Sequence, residues 1–438
     1  MKRTTISLCT LAVLFVFPHA ARAQFLTVGC AGGDPFAQFS RINDALPNVT
    51  GPGAFILVTG TCYEFVNLYG SANLNLGAPF GQTASINGNI SITNSQNVYL
   101  YGLSVTNPYG NGIDVNSSRS ITLDSCTSNG NAGNGLSAGQ SSDIVVNAIG
   151  SFSNNGGDGI FAGNNSLVSI NSWAGTTEIS NNRNAALGIY SGNFSTNGST
   201  HIANNGSNLN AAIDMRGAGK AQIGSFFSPN IIENNPSGGA SLQENAEISF
   251  WSLPQFSGPN IIRNNGPFGV EAGFGSQVTM VGAQVTGHTG PGVDIYAHSQ
   301  FYGSSQLSGL GVVQIQNNGT SGDPLSAGVR VDGNSEALLR GVTVSQNNGP
   351  AILTLVNSSV DFAGNSFSGN TGVISCDSTS TMVSDLAAFA SNPASGVRCG
   401  VAHSLGNRSL STPTPAVPDI GVWKAMHSAY QQRSAAKK

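Results

Sequence analysis

Apolar and polar residues alternate in short runs along most of the chain, and each run follows a turn rich in asparagine and glycine. Val293 and Ile295, for example, flank Asp294 after the turn TGPG. A period of two places the apolar side chains on one face of a strand and the polar ones on the other. A unit repeated at a short interval predicts a solenoid. The turn and its strand recur as NGNAGNGLSA at 129, NNGGDGIFAG at 154, NNRNAALGIYSG at 181, NNGSNLNAAIDMRG at 204, NNPSGGASLQ at 234, NNGPFGVEAG at 264, TGPGVDIYA at 289, NNGTSGDPLSAGVRVDG at 317, NNGPAILTLV at 347 and GNTGVISCD at 369.

The repeat predicts an all-β fold in which each coil holds three short strands, paired with the same strands of the next coil. Helices are disfavoured because Gly, Asn and Ser interrupt every candidate heptad. We therefore expect a single-stranded right-handed parallel β-helix of about eleven rungs, stacked at ~4.8 Å. An apolar column before the Asn-Gly turns is expected to point inward: Cys126, Phe152, Ile179, Ile202, Ile232, Ile262, Ile315 and Phe367.

Asparagine occupies one position of nearly every unit. Its side chain tolerates left-handed backbone and bonds neighbouring backbone groups, which suits a turn. Stacked in register, such residues form an amide ladder. The predicted members are Asn129, Asn155, Asn182, Asn205, Asn235, Asn265, Asn318, Asn348 and Asn370.

Both ends of the repeat array carry sequences that differ from the repeat, as a solenoid with apolar ends requires. Residues 24–70 are predicted as an N-terminal cap, with a helix starting at Asp34-Pro35 and an apolar strand at 54–58. Phe39, Ile42 and Leu46 share one face of that helix. The repeats are assigned to 71–400, and 401–438 to a proline-rich linker and a tail. Trp423, Met426 and Tyr430 share a helical face in that tail, which we expect to dock on the last rung or a partner, or to be disordered.

The first 23 residues have a basic start, an apolar stretch and an Ala-Arg-Ala end, which predicts a cleavable signal peptide. A secreted or periplasmic protein is therefore expected, without a transmembrane segment and as a monomer. The chain has 17 Lys and Arg against 21 Asp and Glu, and Lys220 is the only lysine between Lys2 and Lys424. Nucleic-acid binding requires a basic stripe, so this class is excluded.

Cysteine positions fit an oxidising compartment. Cys30 and Cys62 bracket the N-terminal segment, and Cys376 and Cys399 bracket the C-terminal end of the repeats. We expect each pair to form a disulfide. Cys126 falls in the inward column and is expected to be a buried free thiol.

In its repeated units from about 107 to 376, and in the cap pattern GC…FSRINDAL…ILVTGTC at 29–62, the chain resembles the right-handed parallel β-helix proteins of the pectin-lyase-like superfamily. The resemblance implies the fold; the superfamily includes polysaccharide lyases, glycoside hydrolases, epimerases and proteins without known catalysis. Signature motifs of the individual enzyme families are missing from the sequence, which offers only Gly287-His288-Thr289 in place of a Gly-His-Gly. His201, His288 and His298 lack metal-ligand spacing and are predicted to lie in loops or turns.

The outward positions vary from unit to unit, so chemistry is expected there. The residue after each Gly-Ile or Gly-Val forms a first column: Asp114, Ser137, Phe161, Tyr190, Asp214, Ser241, Glu271, Asp294 and Arg330. Two positions further on, a second column holds Arg216, Gln243, Tyr296 and Asp332. Aromatic rings stack on sugars and charged groups bond hydroxyls, so Tyr190 and the second column are predicted to bind a polysaccharide. An inserted loop, GTSGDPLSA at 319–327, and longer turns near Tyr190 and Asp214 are expected to wall the groove.

Glu271, Asp294, Arg330 and Asp214 are the candidate catalytic residues. Glu271 and Asp294 would lie one rung apart, at the ~5 Å separation of a retaining glycosidase pair. Asp214 and Glu271 would lie two rungs apart, ~10 Å, at the upper edge of the inverting range. Alternatively the pair holds calcium, with Arg330 or Arg216 as base. A third interpretation is that these are ordinary charges on a solvated face.

Two functions follow from these columns. The first is a carbohydrate-binding or carbohydrate-active protein that uses the face from Asp214 to Asp332. The second is a non-catalytic surface or matrix scaffold, similar to an adhesin, whose strand faces serve interaction. Binding and activity on glycans distinguish the two.

Overall fold

The computed structural model describes residues 24–384 apart from 173–174, 208, 227, 254–257, 308–309, 321–322 and 324. The predicted signal peptide, Cys399 and the predicted linker and tail lie outside these residues. Within them the chain is a parallel β-solenoid, and every paired strand runs parallel to its neighbours in one of three faces, called sheets A, B and C. Among the described residues, no helix has the length and apolarity needed to cross a membrane.

Sheet A has 15 strands, ordered as they occur in the sequence. Its strands are Phe25–Gly29, Ala54–Thr59, Ala72–Gly77, Gln96–Tyr101, Arg119–Asp124, Asp143–Asn147, Leu167–Asn171, Asn193–Thr196, Lys220–Ser225, Glu247–Ser252, Gln277–Val281, Gln300–Ser304, Glu336–Arg340, Ser359–Ala363 and Thr381–Ser384.

Sheet B has 13 strands, one for each rung. Its strands are Val66–Tyr69, Ile90–Thr93, Ile113–Asn116, Leu136–Gly139, Ile160–Gly163, Leu187–Tyr190, Ile213–Arg216, Ala240–Leu242, Val270–Ala272, Val293–Ile295, Val329–Val331, Pro350–Thr354 and Gly372–Cys376. The predicted count of eleven rungs is too low. The first two of these strands precede the recognised repeats, so counting the repeats misses them.

Sheet C forms the third face in two parts of four and eight strands. Parallel bridges from Ser151 to Thr127 and to Glu178 connect the two parts. Its strands are Thr61–Cys62, Ala84–Asn87, Leu103–Thr106 and Thr127–Ser128, then Thr177–Ser180, Thr200–Ala203, Ile231–Glu233, Asn260–Arg263, Ala283–Thr286, Val313–Gln316, Thr343–Ser345 and Ser366–Ser368.

The three sheets enclose one long apolar core. Strand Ile113–Asn116 shows the principle, because its first and third residues are buried and its second and fourth are partly exposed. All eight residues of the predicted inward column are buried, which confirms that column. Cys126 is a buried free cysteine, as expected.

An amide ladder lines the turn between sheets C and B. In two runs, one from Asn131 to Asn265 and one from Asn318 to Asn370, the side-chain N–H donates to the amide oxygen of the next rung, at 2.7–3.3 Å. The members are Asn131, Asn155, Asn182, Asn205, Asn235 and Asn265, then Asn318, Asn347 and Asn370. The ladder is therefore confirmed, but Asn131 and Asn347 replace the predicted Asn129 and Asn348. Asn348 is exposed and Asn129 only half-buried, and stacking inside the turn requires the inward amide.

In many rungs, a glycine before the sheet B strand makes room for this ladder. A Cβ on Gly159 would lie 2.8 Å from the amide nitrogen of Asn182, and one on Gly135 equally close to that of Asn155. The Asn-Gly…Gly-Ile pattern of the sequence thus reflects a repeated contact between a glycine and the ladder asparagine of the next rung.

A short cap closes the N-terminal end. The helix covers only Ile42–Ala45, followed by a 3₁₀ turn at Leu46–Asn48, so the predicted start at Asp34-Pro35 is wrong. Phe39 instead pairs with Val28, and its N–H donates to the carbonyl of Thr27. This pairing draws the segment into extended structure before the helix begins.

Two contacts fix the cap to the first rungs. The disulfide between Cys30 and Cys62 is present as predicted, whereas Cys399 lies outside the described residues. The buried Glu64 carboxylate accepts the N–H groups of Ile42 (2.7 Å) and Asn43 (3.1 Å), two of the donors that a helix start leaves unpaired.

Candidate functional site

The outward face of sheet B carries the predicted first column at one position per rung. In register, the column consists of Asp114, Ser137, Phe161, Gly188, Asp214, Ser241, Glu271, Asp294, Arg330 and Leu353. Tyr190 does not belong to it, because Tyr190 pairs with Arg216 and Gly188 pairs with Asp214. The prediction for Tyr190 was wrong by two residues, which moves it into the second column but keeps it on the outward face.

The second column runs beside the first. Backbone hydrogen bonds continue it from Arg216 to Gln243, Gly273, Tyr296 and Asp332. The predicted second-column residues therefore share one face.

Asp214 lies at the centre of a bonded group. The residue is 3% exposed, and its carboxylate accepts the Tyr190 hydroxyl at 2.8 Å and Arg216 Nη2 at 3.1 Å. The Arg216 guanidinium also lies 5.4 Å from the centre of the Tyr190 ring, within cation–π range. Burial and the Asp214 charge raise the pKa of Tyr190, so its hydroxyl stays a hydrogen-bond donor.

Glu271 lies two strands from Asp214, with Ser241 between them. Its carboxylate accepts the Ser241 hydroxyl at 3.1 Å and the Tyr296 hydroxyl at 3.3 Å. Burial raises the pKa of Glu271, although these two bonds and the charge of Arg330 oppose the rise. This carboxyl therefore holds its proton to a higher pH than an exposed glutamate.

Asp294 and Arg330 form a second charged group on the next two rungs. Arg330 Nε lies 3.4 Å from Asp294 Oδ1, and Arg330 Nη2 lies 3.6 Å from Asp332 Oδ2. Burial raises the pKa of Asp294 to about 6, with Arg330 lowering it and Glu271 raising it. The arginine supplies the positive charge beside both aspartates.

A cavity of about 390 Å³ lies over the middle of this face. Its floor consists of Asp214, Arg216, Ser241, Gln243 and Glu271. Its walls come from the turns that precede three successive strands: Leu209, Asn210 and Ala211, then Pro236 and Ser237, then Pro267 and Phe268. The cavity thus brings Asp214 and Glu271 together with Arg216 and Gln243.

The other predicted residues lie outside this cavity. Tyr190 borders it through Asp214, while Asp294, Tyr296, Arg330 and Asp332 continue the face beyond Glu271. None of the described residues of 319–327 lines this cavity, so the wall predicted there stays a prediction; the turn before Asp214 does form a wall, as expected.

Asp158 belongs to the same face, although the sequence did not predict a role for it. It lies in the turn before strand Ile160–Gly163, is 8% exposed, and accepts the Ala185 N–H at 3.0 Å. Burial raises its pKa to about 7; the Ala185 N–H lowers it and the Asp214 charge raises it. An aspartate in a glycine-rich turn gives no sequence signal of burial, which is why it was missed.

Of the three histidines predicted to lie in loops or turns, His288 and His298 do so, whereas His201 does not. His201 lies in strand Thr200–Ala203 of sheet C, where its ring contacts Glu178 at 2.8 Å and Glu233 at 3.0 Å. His288 is 2% exposed and occupies the rung of the amide ladder between Asn265 and Asn318.

The sequence left open whether the protein has a metal site. Among the described residues, one group of three potential ligands lies close enough together, namely Cys30, Cys62 and Glu64. Its sulfurs are joined in the disulfide and its carboxylate holds the cap helix, so these atoms are already engaged. Calcium at Glu271 and Asp294 stays a prediction.

Known proteins show only a distant similarity to this chain. No protein-family model and no curated protein matches the chain significantly. Among solved structures, the mannuronan C-5 epimerase AlgE6 A-module of Azotobacter vinelandii matches at 15% identity and TM-score 0.39, over 78% of this chain and 93% of that one. The AlgE4 A-module of the same organism matches at 14% and 0.38, over 76% and 91%. A family 28 exopolygalacturonase of Yersinia enterocolitica matches at 11% and 0.26, over 84% and 79%.

These neighbours are pectate-lyase-like right-handed β-helix proteins. At these identities and TM-scores the likeness carries no argument about this chain, so its function must be argued from the residues of the cavity.

Proposed function

We propose that the protein binds a polysaccharide on the outward face of sheet B and processes it in the cavity between Asp214 and Glu271. The observation that carries the proposal is the arrangement of two carboxyl groups on the floor of one 390 Å³ cavity, separated by the small residue Ser241. Convergent polar groups in a walled pocket are typical of ligand sites.

The two carboxyls suit acid and base roles. Glu271 would donate the proton to the leaving oxygen, because burial keeps it protonated to a higher pH. Asp214 would orient or activate a water on the other side. Two strand spacings separate their backbones by ~9.6 Å, at the upper edge of the carboxyl separation of inverting enzymes.

The remaining cavity residues suit sugar recognition. Arg216 and Gln243 offer donors to hydroxyl or carboxylate groups of a glycan, and Phe268 offers an apolar ring on the wall. The walls rise on one side of the columns only, so a chain extending beyond the cavity would lie along Tyr296 and Asp332.

A non-catalytic scaffold is the second candidate. It is favoured by the pairing of charges on this face, because Arg216 pairs with Asp214 and Arg330 contacts both Asp294 and Asp332. Paired charges need no ligand. The disulfide between Cys30 and Cys62 supports an exported protein under either function.

The test combines binding and turnover. The full chain is applied to a glycan array and to a panel of acidic and neutral polysaccharides, with absorbance of unsaturated products and reducing ends measured. Glu271→Gln is expected to lose turnover by about 10²–10⁴-fold while keeping binding, as removal of a general acid does. Asp294→Asn, a carboxylate of the same column outside the cavity, is the matched control and should keep most activity.

The outcomes separate the two candidates. Binding without turnover by the wild type would refute the catalytic roles and leave the binding site. No binding and no turnover on any glycan would refute the proposal and favour the scaffold.

A further inference from the structure

Gly188 is the one residue of the first column between Phe161 and Leu353 that has no side chain. A Cβ at this position would lie 2.5 Å from Oδ2 of Asp158 and 3.0 Å from its carboxyl carbon. The carboxyl group of Asp158 therefore occupies the space that a side chain at position 188 would take. The first column gains a carboxyl at this rung, contributed by a turn.

The turn holds Asp158 in this position on several sides. Its N–H donates to the Asn134 side chain at 2.8 Å, and its carbonyl accepts the N–H of Gly135 at 3.0 Å. Its Oδ1 accepts the Ala185 N–H. Oδ2 is the oxygen directed at the Gly188 position, toward the next strand.

Asp214 is the charged group that faces Asp158. Gly188 and Asp214 are register partners, so the two carboxyl groups lie within about one strand spacing, ~5 Å. Tyr190 and Arg216, which lie in the second column, donate hydrogen bonds to Asp214. The Phe161 ring contacts the Tyr190 ring edge-on, with 5.5 Å between the ring centres. Burial, with Asp214, raises the pKa of Asp158 to about 7.

We propose that Asp158 is a positioning residue of the cavity, whose bound proton keeps the Asp214–Arg216 pair available to an acidic glycan. This inference rests on the proposed function. With Asp158 protonated, the charges of Asp214 and Arg216 balance and the guanidinium can donate to a ligand carboxylate. When Asp158 ionises, the group gains one negative charge at close range, which holds Arg216 more tightly and repels an acidic ligand.

The first measurement needs no glycan. Aspartate carboxyl carbons are labelled with ¹³C in the full chain and followed by NMR from pH 4 to 9. A carboxyl that titrates near neutrality in the wild type and is lost in Asp158→Asn supports the proposal; the amide preserves the acceptor for Ala185. Titration of Asp158 below pH 5 with the exposed carboxyls would overturn it. Asp143→Asn on sheet A is the matched control and should leave the neutral titration in place.

The second measurement uses a galacturonic acid hexasaccharide and maltohexaose as probes. Wild-type affinity for the acidic probe should fall about fivefold or more between pH 5.5 and 8.5, a coupling of ordinary size. Asp158→Asn should reduce that dependence and leave the part that Glu271 and Asp294 contribute. A pH dependence equal in both proteins would overturn the positioning role. If neither probe nor any arrayed glycan binds, the proposed function falls, while the NMR titration still decides whether the carboxyl pair exists.

Discussion

Replacing His288 by asparagine should change how the stability of the protein depends on pH. His288 occupies a rung of the amide ladder, with its ring nitrogens 3.3 Å from the carbonyl of Asn265 and 3.2 Å from that of Ile262. Burial lowers the pKa of this imidazole to about 4, although the two carbonyls favour the charged form. Asparagine is the residue of the neighbouring ladder rungs and carries no titratable group.

The magnitude follows from the difference between folded and unfolded states. An unfolded histidine titrates near 6.5, so its pKa is about 2.5 higher than in the folded chain, equivalent to about 3 kcal/mol. Because the folded pKa is the lower one, the unfolded state binds the proton more readily. The stabilising effect of the neutral ring is complete above pH 6.5 and is lost as the pH falls toward 4.

Urea unfolding from pH 4 to 8, followed by circular dichroism, measures this effect. The free energy of unfolding of His288→Asn minus that of the wild type should increase by about 3 kcal/mol between pH 7 and pH 4. Buried carboxyls such as Asp158 also titrate in this window, but they are common to both proteins and cancel in the difference. His298→Asn, at an exposed turn, is the matched control for the loss of an imidazole. A difference independent of pH would refute the reasoning.

Three further substitutions test the cap and the ladder. Cys30→Ser removes a disulfide with a sequence separation of 32 and should lower the free energy of unfolding by about 4 kcal/mol. An unchanged free energy of unfolding would show that the disulfide does not stabilise the cap. Asn205→Ala removes the acceptor of the backbone and side-chain N–H groups of Asn182 and the side-chain donor to the carbonyls of Ile179 and Ala203. It should cost about 3 kcal/mol, against about 0.5 kcal/mol for the same change at an exposed asparagine. Glu64→Ala removes the acceptor for the start of helix Ile42–Ala45 and should cost about 2 kcal/mol in the same assay; protection of the cap amides from hydrogen exchange, if unaltered, would contradict it.

The solenoid was predictable because each repeat contains strand residues and turn residues whose type is restricted by their conformation and packing. Strand positions alternate, and most turns supply an inward amide beside a glycine, as at Asn182 and Gly159. Ala186 and Ala212 replace the glycine in two rungs, and His288 replaces the amide in one. The first two rungs precede the recognised repeats, so their strands were not counted.

The register of the site was harder to predict, since alignment on a dipeptide ignores where the strand begins. In NNRNAALGIYSG the inward residues are Leu187 and Ile189, so the Gly-Ile dipeptide lies two residues later than in the other rungs. A two-residue shift keeps the same face, which is why Tyr190 still points outward beside Asp214. Gly188 holds the first-column position of this rung, and the carboxyl group of Asp158 occupies the space that a side chain would take there.

The position of the cavity is related to the amide ladder, because each rung of the cavity floor contains both a ladder asparagine and a site residue. Asn205, Asn235 and Asn265 continue the ladder without a break in the turns that lead to Asp214, Ser241 and Glu271. The ladder changes to His288 only in the next rung, which carries Asp294 and lies beyond the cavity. The cavity floor is therefore carried by rungs whose turns are held by complete amide pairing, and the same turns supply its walls. A site that must hold two carboxyls at a fixed distance requires such support, so the unbroken ladder favours the pair Asp214 and Glu271 over Glu271 and Asp294.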